Sequence, residues 1–347
     1  MSTSANGDEL FNTGLRHFKA QAFEKALENW NLALKIFKDE GEKRKTGIVN
    51  TYIAKTLHEL GRHKEALVSS TQAVRILRDE PEQEALKQAL ITMAQIMRGF
   101  GYLEEAIQAF KQAAGLSIPG EDKRENVVLL TEIGQTLAKL GRYRESVAHF
   151  IQALKVTQKL KDHQLHGETL AEYAKVLHRL EEYDTAEKVF LQLMQLWEKA
   201  GKPRLSAYTQ LGLASNFLAK DMMEQAEANI QQAETVFAET KDAMGTALTN
   251  YHKARILLQK GQPEAALPLG EAALQYFQSQ QNPVAYAETA VVVAQILGFL
   301  VQDVRSLRLF DKAIEIFSQE NEQARLLQTR VTKGIALLRL GKQRQAE

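Results

Sequence analysis

An alanine or serine recurs every 40 residues along this chain without a slip: Ala26, Ala66, Ala106, Ser146, Ala186, Ala226, Ala266, Ser306 and Ala346. A second small-residue column runs twelve positions earlier, as Gly14, Ala54, Ala94, Gly134, Ala174, Ala214, Ala254, Ala294 and Gly334. Small side chains at two phases of one fixed period describe a supersecondary unit stacked on copies of itself. Each unit packs on its neighbours, and the core extends along the stack. A length of 347 residues would otherwise suggest two or three globular domains. The unbroken period predicts instead one solenoid over 7–347, preceded by a disordered tail at 1–6.

The second unit shows what repeats. Ile48, Tyr52, Ile53, Leu57 and Leu60 fall at helical spacing. Gly61 then ends the helix in the left-handed conformation that glycine adopts most easily. His63 to Leu77 forms a second amphipathic helix, and Pro81 stops it. The turn residue returns as Gly101, Gly141, Gly261 and Gly341, with Glu181 and Asp221 in the equivalent place. Gly41, Pro81, Pro119-Gly120, Gly201 with Pro203, and Asn282-Pro283 separate successive pairs. Ala54 and Ala66 belong where the two helices of a pair cross, since a larger side chain would push them apart. A third column, from Ala33 and Ala73 to Ala273 and Ala313, lies where one pair meets the next. Leu57, Leu137, Leu177 and Phe217 in the first helix fill the gaps beside the small residues. Trp30, Phe110, Phe150, Phe190 and Phe310 do so in the second, and Trp30 and Trp197 read as core.

These positions resemble the tetratricopeptide repeat. The small residue of the first helix, the large one three later, the alanine opening the second helix, the aromatic four on and the alanine three beyond all match. The resemblance covers 7–347, with repeats starting near 7, 47, 87, 127, 167, 207, 247 and 287 and a partial ninth from 327. The period exceeds the family's usual length of about 34. In this it is similar to the long-repeat variants of polarity adaptors, kinesin light chains and bacterial sensor modules. The resemblance implies an all-α, right-handed superhelix of antiparallel helix pairs. It also implies that the first helices line a concave groove in which a peptide or partner helix binds.

The column after the small residue of the first helix faces that groove. It reads Leu15, Lys55, Gln95, Gln135, Lys175, Ser215, Arg255, Gln295 and Ile335, mostly polar although each sits beside a buried position. Neighbouring columns add His58, Arg98 and His178, and then Lys139 and Arg179. The candidate binding residues are therefore Lys55, His58, Gln95, Arg98, Gln135, Lys139, Lys175, His178, Arg179 and Arg255. Long cationic and amide side chains in a row suit an acidic or extended peptide, gripping carboxylates or backbone carbonyls. The alternative is a solvated inner wall, partly balanced by Glu59, Glu132 and Glu172. Repeats six to eight carry Leu218, Leu258 and Phe299 instead, either an apolar pocket for a partner helix or tighter packing. Pro268 falls inside a second helix, with Gly270 where a bulky residue is expected. An interior proline costs about 3 kcal/mol in a regular helix, so a bend or loosened packing near 263–272 is expected, dividing the solenoid or simply absorbed.

A formal net charge of +1 does not suit a general nucleic-acid or membrane-surface binder. The absence of cysteine removes disulfides and thiolate zinc sites and is at home in a reducing cytoplasm. The first residues lack the features of a secretory signal, and runs such as Ala290 to Ala294 are too short to span a bilayer. His163 and His166, with Asp162 and Glu168, are read as an exposed polar loop rather than a metal site. No glycine-rich phosphate loop or nucleophile motif occurs, so no cofactor, metal or catalytic residue is assigned. The last helix carries Leu326, Leu327, Val331, Ile335, Leu338 and Leu340. That apolar face points to a longer protein with a downstream domain, to a homodimer, or to a folded-back tail. The expected function is a non-catalytic scaffold or adaptor for a protein or peptide. The alternative is a ligand-responsive sensor module of a larger signalling or protease effector protein.

Overall fold

The computed structural model describes residues 6–81, 83–116, 118, 120, 122–339 and 341. The expected tail at 1–5, Pro119, Leu340 and the segment from Lys342 to Glu347, with Ala346, lie outside them. The described residues form 17 α-helices and no strand, an all-α stack of helix pairs.

The chain divides into two compact units, 1–136 and 137–347. The N-terminal unit holds α1 (Gly7–Lys19), α2 (Phe23–Asp39), α3 (Lys43–Glu59), α4 (His63–Leu77), α5 (Gln83–Gly99), α6 (Leu103–Gly115) and most of α7 (Lys123–Lys139). The C-terminal unit holds the end of α7, α8 (Tyr143–Leu160), α9 (His163–Arg179), α10 (Tyr183–Lys199), α11 (Pro203–Ala219), α12 (Met223–Glu239), α13 (Ala243–Gln259), α14 (Pro263–Ser279), α15 (Pro283–Phe299), α16 (Asp303–Gln319) and α17 (Gln323–Arg339).

The period now has a physical origin. From α9 onward every helix is 17 residues long, and three-residue connectors join them. Two helices and two connectors make one repeat. The middle connector residue is left-handed, and it recurs every 20 residues rather than every 40, from Gly141, Lys161, Glu181 and Gly201 through Asp221, Lys241, Gly261 and Gln281 to Val301, Asn321 and Gly341. This conformation lets the next amide turn back on the helix just ended: Glu182 donates its N–H to the Leu177 carbonyl at 3.0 Å. The connectors between pairs also start the following helix. The side chains of Asp162, Asp242 and Asn282 accept the N–H of Leu165, Gly245 and Ala285, satisfying amides that have no partner inside the helix. First helices such as α3 begin at Lys43 rather than near 47, because their opening turn, Lys43-Arg44-Lys45, is polar and leaves no apolar trace in the sequence.

The small columns are steric, as their spacing predicts. The first column is fully buried from Ala26 to Ala266. Its serine at 306 reaches the second column, where its hydroxyl donates to the Ala294 carbonyl at 2.7 Å. A Cβ on Gly14 would stand 2.2 Å from the Trp30 ring nitrogen. That ring is fully buried and donates to the Phe11 carbonyl at 3.1 Å. Trp197 is likewise core, and Gly167 makes room for it. Helix α14 runs unbroken through Pro268, so the expected loosening is not found. Ala266, Gly270, Ala273 and Phe277 are all buried, and a Cβ on Gly270 would meet Val293 at 2.9 Å. Here glycine in place of a bulky residue admits α15 closely. The division between compact units falls within α7 and not at the proline.

Candidate functional site

The first helices of the C-terminal unit, α9, α11, α13, α15 and α17, line a cavity of about 760 Å³. The polar column read from the sequence reaches it through Lys175, Ser215, Arg255 and Gln295, joined by His178 and Arg179. Most of the remaining first-helix lining comes from positions three, four and seven residues before that column, while Phe190, Met244, Phe317, Arg325 and Thr329 reach the cavity from other positions. The three regular positions supply Leu211, Tyr251 and Val291, then Gly212, His252 and Val292, then Tyr208, Leu248, Glu288 and Gln328. Residues three and four apart share one helix face, so the same column, extended along its face, could have located them.

The charge of this lining is one-sided. Lys175, Arg179, Arg255 and Arg325 face a single carboxylate, Glu288. Arg179 reaches Glu288 at 3.2 Å and Arg325 reaches it at 2.9 Å. Arg325 also pairs with Glu322, which Lys139 approaches at 2.8 Å. A chain of ion pairs thus ties the end of α7 and α9 to α15 and α17. Lys175 pairs with Glu172 at 2.7 Å on the exposed rim. Arg255 is different: it donates to the Ser215 hydroxyl at 2.9 Å and lies over the Tyr251 ring, and it pairs with no carboxylate among the described residues.

Burial controls the titrating groups here. It pushes His178 below its ordinary range, reinforced by Arg179 and Arg255 and partly opposed by a 3.2 Å contact with the Asn216 side chain. Burial, with Arg255 and His178, holds His252 at about 3. Both imidazoles are neutral at physiological pH. Tyr208 donates to Asp242 at 2.9 Å, and burial together with that carboxylate pushes its hydroxyl up to about 12.

The remaining candidates lie elsewhere. In the N-terminal unit, Lys55 lies over the Tyr52 ring and burial lowers its pKa. The His58 ring lies 5.3 Å from that of His63, tilted against it, and burial, then His63, lowers its pKa. Arg98 is engaged by Glu132 and lies over Phe110. Gln95 and Gln135 are half-buried. Lys139 belongs to the ion-pair chain rather than the cavity wall. Leu218 is buried in the core, Leu258 packs in a separate cluster and Phe299 is exposed under Arg339, so these three do not form one pocket. His163 and His166 open helix α9 rather than occupying a loop, and His166 is held by Thr157 at 2.7 Å. Among the described residues no group of three or more His, Asp or Glu is placed to hold a metal. No described helix is long and apolar enough to cross a membrane. Leu327, Val331, Ile335 and Leu338 on α17 are exposed.

The geometry defines a helical-repeat protein whose first helices line a largely apolar cavity with an excess of cationic side chains. Residues 126–199 match the tetratricopeptide repeat family model. Among solved structures, aspartyl phosphate phosphatase F from Bacillus subtilis is similar at 15% identity, with 91% of this chain and 85% of that chain covered and a TM-score of 0.64. A tetratricopeptide repeat protein from Parabacteroides merdae matches at 18% identity over 84% of this chain and 98% of its own, with a TM-score of 0.60. A Rap protein complexed with competence and sporulation factor matches at 11% identity over 97% and 99%, with a TM-score of 0.54. At these identities the likeness establishes the fold, a tetratricopeptide-type helical repeat. No curated protein sequence matches the chain.

Proposed function

We propose that this protein is an interaction module that takes an extended peptide segment of a partner into the cavity of its C-terminal unit. The observation that carries the reading is the cavity itself: about 760 Å³ among five first helices, with four cationic side chains against one carboxylate. Low-dielectric walls lined by one sign of charge concentrate a field and favour ligands of the opposite sign. Apolar surface from Leu211, Leu248, Val291 and Phe317 supplies contact area beside it. The structural likeness to a Rap protein complexed with a factor supports the same use of the fold. No chemistry beyond binding is assigned to the site.

The test is direct. A randomised heptapeptide library is equilibrated with the full chain, and the retained peptides are identified by mass spectrometry. Wild type retains a defined subset. Gln328→Trp, placed on the exposed part of the cavity wall, loses that subset while its circular dichroism and melting are unchanged. Equal retention by wild type and Gln328→Trp, or no retention by wild type, overturns the reading.

A regulatory role is favoured by the chain of ion pairs from Lys139 to Arg179. It joins helices on different sides of the cavity, so an occupant that displaces Glu288 or Arg325 would change how those helices sit. Small-angle scattering with retained peptides separates the readings: a sensor changes its radius of gyration and a passive scaffold does not.

A further inference from the structure

We propose that the exposed face of α17 seats a second copy of this chain, the two copies joining through an antiparallel α17–α17 pair about a two-fold axis. The proposal is independent of the peptide cavity.

In a complete pair, one stripe of the first helix receives the second helix. In α15 that stripe is Ala287, Val291, Ala294 and Gly298. Ala287 and Ala294 are fully buried, and Ser306 of α16 bonds to the Ala294 carbonyl. A Cβ on Gly298 would stand 3.6 Å from the same serine hydroxyl. Forty residues on, the stripe of α17 is Leu327, Val331, Gly334 and Leu338. Leu327 is 65% exposed, Val331 57% and Leu338 52%. Gly334 is only half-buried, where Ala54, Ala94, Ala174, Ala214 and Ala254 of the same column are fully enclosed. The other end of the stack differs. Leu10, Phe11, Leu15 and Phe18 of α1 pack into the core, and no large apolar side chain of α1 is exposed. An uncovered face is therefore particular to α17, and a contiguous apolar face marks an interaction surface.

The stripe is complementary to itself. Its steps of four, three and four residues are the seam of a two-helix coil. The four positions are also symmetric about the midpoint between Thr332 and Lys333. An antiparallel copy therefore lays Leu327 on the partner's Leu338 and Val331 on the partner's Gly334. Such mutual contact is what a two-fold interface requires. The glycine gives the valine room at the centre, and the leucines close both ends. Charge does not oppose the pairing. Lys333, nearest the axis, is held by Asp311 of its own chain at 2.5 Å. Arg330 falls opposite the partner's Ile335, so the cations flanking the seam do not face one another. A helix of unrelated sequence has no need of this symmetry, and a second copy does. The seam is only about 16 Å long, which places the expected association near micromolar rather than nanomolar.

The experiment is sedimentation of the full chain from about 1 to about 100 μM. The mass is expected to rise from 39.0 kDa towards twice that value. Val331→Arg, at an exposed position, keeps its circular dichroism and raises the dimer Kd on the order of a hundredfold. The register has its own readout, because the chain has no cysteine. Under mild oxidation, Leu327→Cys mixed with Leu338→Cys gives a disulfide-linked dimer. Neither variant alone does so, since each position lies about 16 Å from its own copy across the axis. A chain that stays at 39.0 kDa throughout overturns the proposal. So does a dimer that Val331→Arg leaves intact, or cross-linking by the single variants and not by their mixture. Removal of 342–347 separates the other occupants. A dimer that forms only on their removal assigns the face to those residues, and a monomer with or without them assigns it to a helix from elsewhere. Both outcomes overturn the pairing.

Discussion

At the scale of single residues, burial assigns roles that residue type alone does not. His58, His178 and His252 look alike in the sequence, yet only His252 is so enclosed that its pKa falls to about 3. Above pH 6.5, the value of a free imidazole, it is neutral folded and unfolded, and titration costs nothing. As pH falls below 6.5 the unfolded chain takes up a proton that the folded chain refuses, so stability drops by up to about 1.4 kcal/mol per pH unit. The loss continues until the folded-state value is reached. His252→Asn removes this linkage. Between pH 7 and pH 5 it should lose about 2 kcal/mol less stability than wild type, read from urea unfolding of the full chain. Equal losses would mean that the ring of His252 takes up a proton in the folded state as readily as in the unfolded one.

At the scale of elements, the 40-residue period was legible because steric demand leaves only alanine, glycine or serine at each crossing. The 20-residue half-period was not. Its marker is a left-handed backbone occupied in turn by Gly201, Asp221, Lys241, Gly261, Gln281 and Val301, and residue type carries little of that signal outside glycine. Val301 is the least suited, a β-branched side chain at φ 58° and 78% exposed. Left-handed backbone costs a non-glycine residue about 1 kcal/mol or more, and nothing in its burial offsets this. Val301→Gly is therefore expected to raise the urea midpoint by the equivalent of about 1 kcal/mol. A midpoint that falls would show that the valine makes contacts worth more than its strain. Pro268 teaches the converse. A proline inside a helix is a weak point by residue type, but the glycine two residues on lets α15 pack against the same helix.

At the scale of the whole molecule, one pattern spans many repeats without being visible in any of them. Arg179 meets Glu288 across 109 residues, and Lys139 meets the carbonyl of Glu320 across 181. Glu288 serves two guanidinium groups, and all three side chains are about one-third exposed, so the energy of a fully buried pair does not apply. Glu288→Gln should cost about 1 kcal/mol or a little more and should weaken hydrogen-exchange protection in α15 and α17. It should also lessen the stability lost between low and high salt, because surface-accessible pairs are screened. A variant with unchanged salt dependence would show that Glu288 is incidental to the closure of the C-terminal unit.

The sequence by itself determined the class of fold and the small residues at the described helix crossings, because close helix contact tolerates only small side chains and the requirement recurs at each one. It also located one wall of the cavity, since polar residues beside a buried column have to face water or a ligand. Tertiary structure alone decided which cations remain unpaired. Arg98 and Lys139 find Glu132 and Glu322, while Arg255 finds only a hydroxyl and an aromatic ring. Partners brought together across tens to hundreds of residues depend on how each unit curls, and no local pattern encodes that distance.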